Sequence, residues 1–286
     1  MSNTLATTVR LSVHEHDVFV GASGLDGARS PVLCLHSSGL SGGQWRRLTK
    51  QLTRRGHPVY APDLLGYGQT DAWRGSTRFE TRMDLDLVRA IADKIAAPVH
   101  LVGHSYGGRL ALGYALERPA LVRSLGAYEP VAYGVLRSSG DRVGVQELED
   151  YDHDGQFLDE EFGGTEPWIE RFVDYWSGAD TWNSMSTEAR DGFTRSARKL
   201  FEEVKDTCFD TTSHRDVATL TVPTLVLSGA DSRLSARRVC AVMAASNPAV
   251  QHVELEDGVH MSPLLSPLDV NDHLLAHIDA SEHPAR

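Results

Sequence analysis

The sequence predicts an α/β fold, a mostly parallel eight-stranded sheet carrying an inserted helical cap, and three observations predict it. Short β-branched or apolar runs alternate with longer helical patterns, as parallel strands joined by crossover helices require. The alternation runs from about residue 31 to 130 and resumes near 220. Between those limits the chain keeps helical periodicity and loses its strand signal. The expected division is a core domain of residues 1–135 and 216–286 with a helical cap subdomain at 136–215.

After an N-terminal pair of strands, the strand candidates are PVLCLHS from Pro31, PVYAPD from Pro58, PVHLVGH from Pro98, SLGAYEP from Ser124, PTLVLSG from Pro223 and QHVELED from Gln251. Four open with proline, which is tolerated at a strand's first residue. Trp45, Leu48 and Leu52 fall on one helical face, as do Val88, Ile91, Ala92 and Ile95, and a last helix carries Val270, Leu274, Leu275 and Ile278. In the predicted cap, Trp168, Ile169, Phe172, Val173 and Trp176 form one stripe, and Phe193, Ala197, Leu200, Phe201 and Val204 another. Such stripes are usually packing surface, and a cap over the strand ends would also wall a pocket.

The 286 residues suffice for one large α/β domain, and 41% hydrophobic with 23% charged residues is ordinary for a globular chain. A formal charge of −11, from 28 basic and 39 acidic side chains, disfavours nucleic acid and anionic membrane as partners. Cys34, Cys208 and Cys240 lack paired or metal-ligand spacing and are expected to be reduced, buried filler. The N-terminus MSNTLATTVRLSVHEHDVFVG lacks the charged start and apolar run of a secretory signal, and no 18-residue apolar stretch occurs. The expectation is a cytoplasmic monomer or homodimer with a small-molecule partner.

The strongest chemical signal is GHSYGG, Gly103 to Gly108, between the strand PVHLVGH and the helical run RLALGYALERP. G-x-S-x-G acquires meaning where a strand turns sharply into a helix, because the turn lifts the serine above the sheet. Gly103 and Gly107 would remove side chains that collide there, leaving Ser105 at a helix N-terminus that favours developing negative charge. A serine nucleophile needs a base and the base an orienting acid, in chain order serine, acid, histidine. His260, in DGVHMSP, follows the last strand, and Asp231, in SGADS, follows the strand before it. Glu129, ending SLGAYEP, is the rival acid; chain order favours Asp231 and leaves Glu129 to anchor the cap. Amides for an oxyanion are expected from Tyr106 and from Ser38 in the loop HSSGLSGG, with Ser37 as substitute. His104 is expected to be a packed neighbour of the nucleophile, and His14, His16, His57 and His100 structural or surface residues.

Taken together, HSSG, APDLLGYGQTD, GHSYGG, SGADS and GVHMSP resemble the α/β-hydrolase family across nearly the whole chain. The resemblance implies a serine hydrolase of small or medium carboxylic esters, with thioesters or lactones close behind, requiring no cofactor or metal. Ser37 stands where the family usually has glycine. Met261, in place of the tryptophan of the family's carbon–carbon bond hydrolases, and a proline-free oxyanion loop speak against that branch. Ser105 excludes the aspartate-nucleophile branches, the dehalogenases and epoxide hydrolases. A ligand-binding protein on the same scaffold is the alternative of a different class.

One further motif, DYDHDGQFLDEE from Asp150 to Glu161, has the D-x-D-x-D-G-x₅-E spacing of a calcium loop. The surrounding acidity makes a solvated acidic loop the expected reading and calcium the alternative.

Overall fold

A computed structural model describes residues 7–73 and 78–282; the first six residues of the N-terminal reading lie outside it. The strands are β1 (Thr7–Val13), β2 (His16–Ser23), β3 (Val32–Leu35), β4 (Val59–Pro62), β5 (Val99–His104), β6 (Val122–Tyr128), β7 (Thr224–Gly229) and β8 (Val250–Leu255). They form one sheet in the order β1-β2-β4-β3-β5-β6-β7-β8. β1 pairs with β2 and β2 with β4 antiparallel, and every later pairing is parallel.

The four strand-opening prolines stand just outside the ladders. Pro31, Pro58 and Pro223 enter through the carbonyl alone, accepting from the N–H groups of His100, Val32 and Leu125 at 2.9, 2.8 and 2.9 Å. The missing proline donor therefore costs nothing.

Helices α1 (Arg46–Arg54), α2 (Thr81–Ile95) and α3 (Tyr106–Glu117) fall between the core strands. Six more lie between β6 and β7: α4 (Tyr133–Ser139), α5 (Arg142–Tyr151), α6 (Glu166–Ser177), α7 (Thr181–Ser184), α8 (Thr187–Cys208) and α9 (His214–Ala218). α10 (Leu234–Ser246), α11 (Ser262–Leu265) and α12 (Pro267–Glu282) complete the chain's described part.

Alternation along the central strands sorts the core into two layers. Val32 and Cys34 of β3 pack with Leu48 and Leu52 of α1 and with Val270 and Leu274 of α12. Leu33 and Leu35 face the other way, toward Val88 and Ile91 of α2 and Leu110 of α3. With helices on both faces, β3, β5 and β7 are buried throughout, so they read as continuous apolar runs.

A buried ion cluster ties α8 to the core. The Lys199 ammonium donates to Asp84 Oδ2 of α2 at 3.0 Å and to Glu203 one turn further along α8. It also lies 4.1 Å from the ring centre of Tyr67 and 4.5 Å from that of Phe79. Asp84 Oδ1 accepts from the Leu65 N–H at 3.0 Å and its Oδ2 from the Tyr106 hydroxyl at 3.0 Å, so the charges are hydrogen-bonded as well as paired.

The calcium alternative finds no support in the acidic loop. Asp152 Oδ1 accepts from the Phe157 N–H at 2.8 Å, and Asp154 accepts from the Gln156 N–H at 3.1 Å and pairs with Arg171 at 2.9 Å. Asp152 thus holds its own turn, and Asp154 ties that turn to Arg171 of α6. Among the described residues, the potential metal-ligand atoms gathered within 4.8 Å belong to His57, His100 and Glu282. There Arg29 Nη1 donates to His57 Nε2 at 3.2 Å and the His57 Nδ1–H donates to the Ser30 carbonyl at 2.8 Å, so both ring nitrogens already have partners.

Candidate active site

β5 delivers Ser105 to the carboxyl edge of the sheet, and α3 begins at the next residue. Ser105 has φ 53° and ψ −116°, a strained backbone for a residue with a side chain. The two glycines make that turn possible. A Cβ on Gly103 would run into the Gly107 carbonyl, and one on Gly107 into the carbonyls of Leu35 and His36.

His260, in the loop between β8 and α11, places Nε2 3.1 Å from Ser105 Oγ. Its Nδ1 lies 2.5 Å from Glu129 Oε2. Glu129 Oε1 accepts from the Gly229 N–H at 2.8 Å, so the carboxylate is fixed at both oxygens. All three side chains are buried. An imidazole held this way can take the serine proton through Nε2 while its Nδ1–H rests on a carboxylate.

The expected acid is therefore corrected. Asp231 is exposed, and its backbone N–H donates to the Gly258 carbonyl at 2.9 Å. Glu129 reaches the imidazole because β6 lies directly beside β5, whereas β7 is one strand further away. The signal was a glutamate immediately after a strand; chain order overruled it.

The loop after β3 runs from His36, past Ser37 and Ser38. Of the two expected amides in this loop, that of Ser37 already donates to Gln44 Oε1 at 3.0 Å. Ser38 borders the cavity in front of Ser105, and its hydroxyl donates to Glu203. Tyr106 opens α3, where the first amides of a helix have no intrahelical acceptor.

Two buried histidines support this loop. The His36 Nδ1–H donates to the Ser37 carbonyl at 2.7 Å, and its Nε2 accepts from the Leu64 N–H at 2.9 Å. Burial pushes His36 down to about 3, so the ring is neutral, as an accepting nitrogen requires. His104 Nε2–H donates to the His260 carbonyl at 2.9 Å, while Nδ1 accepts from Gln44 Nε2 at 3.0 Å. Burial, then the neighbouring His260, hold His104 well below the ordinary histidine value. Gln44 thus links the Ser37 amide to the backbone of His260 through His104. A lone glutamine in the short 3-10 turn Gly42–Trp45 carries no sequence signal for such a role.

Ser105 opens onto a cavity of about 370 Å³ whose walls come largely from α4, α5, α6 and α8, including Tyr133, Leu148, Phe172, Trp176 and Val204. Part of each predicted packing stripe therefore faces space: Phe172 and Trp176 from one, Val204 from the other. The Trp176 ring lies 4.2 Å from that of His260. Cys34 and Cys240 are buried as expected, but Cys208 is only partly buried and borders the cavity.

A family model described as the alpha/beta hydrolase fold matches residues 30–267. Lipase LipV of Mycobacterium tuberculosis is 33% identical over 99 residues, 35% of this chain and 36% of the lipase. The 2-hydroxy-6-oxo-2,4-heptadienoate hydrolase of Pseudomonas putida is 34% identical over 103 residues, 35% of this chain and 37% of its own. The chain thus spans little more than a third of these curated relatives, and 63% of a Bacillus subtilis relative matched over 190 residues. Among solved structures, the enol-lactonase of Burkholderia xenovorans LB400 superposes with a TM-score of 0.72 at 16% identity, covering 95% of this chain and all of the other. The epoxide hydrolase CorEH gives 0.73 at 19% identity over 96% of this chain and 99% of the other. At such identities these superpositions bear on the fold alone. Among the described residues no helix is long and apolar enough to cross a membrane.

Proposed function

Because the chain belongs to the α/β-hydrolase family, we propose that it is a cytoplasmic serine hydrolase of carboxylic esters, working through an acyl-enzyme. The observation that carries this reading is the position of His260, 3.1 Å from Ser105 Oγ on one side and 2.5 Å from Glu129 on the other. His260 takes the proton as Ser105 attacks the ester carbonyl, and Glu129 holds the imidazole in the required tautomer. The oxyanion rests on the amides of Tyr106 and Ser38, at the N-terminus of α3, where the dipole favours the charge. The helices between β6 and β7 act as a cap that walls the pocket for the acyl group. Free thiols at Cys34, Cys208 and Cys240 support the cytoplasmic assignment.

The test combines labelling with a fluorophosphonate probe and turnover of simple esters followed by acid release. The natural chain is expected to label at Ser105 and to turn over steadily, and Ser105→Ala to do neither. A labelled serine without turnover would replace the enzyme by a ligand-binding protein on the same scaffold. Faster cleavage of dienone-type acids than of esters would move the reading to carbon–carbon bond hydrolysis.

A further inference from the structure

Space is distributed unevenly around Ser105. Its side chain borders two cavities, the one of about 370 Å³ already described and a second of about 30 Å³. Phe172 and Trp176 of α6 line both and form the partition. His260 and Met261 line only the small one, together with Val173 and Phe193. Phe193 also closes that lobe against the oxyanion loop, where Gly39 leaves it no side chain to meet.

The chemistry decides which part of a substrate enters which lobe. When the tetrahedral intermediate collapses, the departing oxygen must receive a proton, and the group that holds one is His260 Nε2. The departing alcohol must therefore lie on the His260 side, in the small lobe, and the acyl group extends into the large one. The small lobe, about 30 Å³, has less than a tenth of the volume of the large one, about 370 Å³, so the smaller of the ester's two groups belongs in it. The large lobe is of the size that accommodates a small-molecule ligand, and its walls are mostly apolar.

We propose, on the reading of the site as a serine esterase, that the substrate is an ester of methanol or a similarly small alcohol with a bulky or extended apolar acyl group. The bond from Ser105 Oγ to the acyl carbon forms as the bond from that carbon to the alkoxy oxygen breaks. The serine proton passes through His260 to the alkoxide, which leaves as methanol. Water then attacks the acyl-enzyme, giving one proton to His260 and through it to Ser105 Oγ, and the product is the free carboxylic acid.

Two panels measured on the full chain test this. With the acyl group held at octanoate, kcat/KM is expected to fall at least tenfold from the methyl to the n-butyl ester and further for benzyl. With methanol held fixed, it is expected to rise at least tenfold from acetate to octanoate. Val173→Ala, which widens only the small lobe, is expected to shrink the methyl-to-butyl ratio at least fivefold and to keep the acyl-length preference. Equal or faster turnover of the butyl and benzyl esters, with Ser105 still labelled by the fluorophosphonate, would overturn this inference and leave the esterase reading standing. An unchanged ratio in Val173→Ala would overturn the assignment of the small lobe to the alcohol. Loss of both labelling and turnover in the natural chain would remove the esterase reading and this inference with it.

Discussion

Among the described residues, two Ser–His–Glu arrangements can be compared, one at each end of the sheet. At the carboxyl end, His260 joins Ser105 at 3.1 Å and Glu129 at 2.5 Å. At the amino end, His100 joins Ser124 Oγ at 2.8 Å and Glu282 Oε1 at 3.0 Å. Residue types and distances barely differ, yet the surroundings do. Ser124 sits within β6, directly across from His100 in the parallel ladder, and is wholly enclosed. Ser105 sits on a strained turn that borders a cavity, with helix N-terminal amides beside it. The comparison teaches that a triad of side chains is not by itself a catalytic device. What distinguishes the two ends is whether an electrophile and its developing charge have somewhere to be.

The widest separation should come from the two serines. Ser105→Ala is expected to lower ester turnover by about 10⁴-fold or more. Ser124→Ala should leave turnover within twofold and cost about 1 kcal/mol of stability, the worth of one hydrogen bond. Steady-state kinetics beside denaturant melts would separate them, and a comparable activity loss in both would erase the distinction. The two acids come next. Glu129→Gln should reduce kcat by about 10²- to 10⁴-fold, because the imidazole loses its anionic partner. Asp231→Asn should change it less than twofold; the reverse ranking would return the acid to β7.

A smaller effect, on stability, is expected at the ion cluster that ties α8 to the core. Lys199→Met leaves Asp84 and Glu203 buried without their cation and should cost about 3–5 kcal/mol in chemical denaturation. A loss below 1 kcal/mol would mean that the cluster is not a clamp. The smallest effect, taken per group and per pH unit, is acid sensitivity. Burial pushes His36 down to about 3 and His100 to about 4, and holds His104 well below the usual range. Unfolded histidines take up protons near about pH 6.5, so below that point the unfolded chain binds more protons than the folded one. Stability present above pH 6.5 should therefore be lost as the pH falls toward 4, by up to about 1.4 kcal/mol per pH unit for each histidine. Denaturation midpoints at pH 7.5, 6 and 5 would measure the slope, and a flat profile would show that these rings are not held neutral.

Legibility in the sequence followed the range of the interaction concerned. The strands from Val32 to Leu255 stood where apolar runs and strand-opening prolines placed them, because that pattern is local and repeats. Ser105 and His260 were readable because a strand-to-helix glycine turn and a histidine after the last strand are short, fixed patterns. Gln44 was not readable, since its value lies in joining Ser37 to His104, 60 residues away. The acid was half readable: Glu129 and Asp231 both follow strands, and only the lateral order of β5, β6 and β7 ranks them.

By itself the sequence determined the alternation of strands and helices, the turn that carries Ser105 and the edge of the sheet to which His260 comes. Tertiary structure decided which carboxylate meets the imidazole, which of two Ser–His–Glu sets faces a cavity and how space divides around the serine. Periodicity and turn chemistry act between neighbours along the chain and so are written in it. Reach between strand ends and the shape of a void depend on residues more than 100 positions apart, such as Glu129 and His260, and exist only once the sheet has assembled.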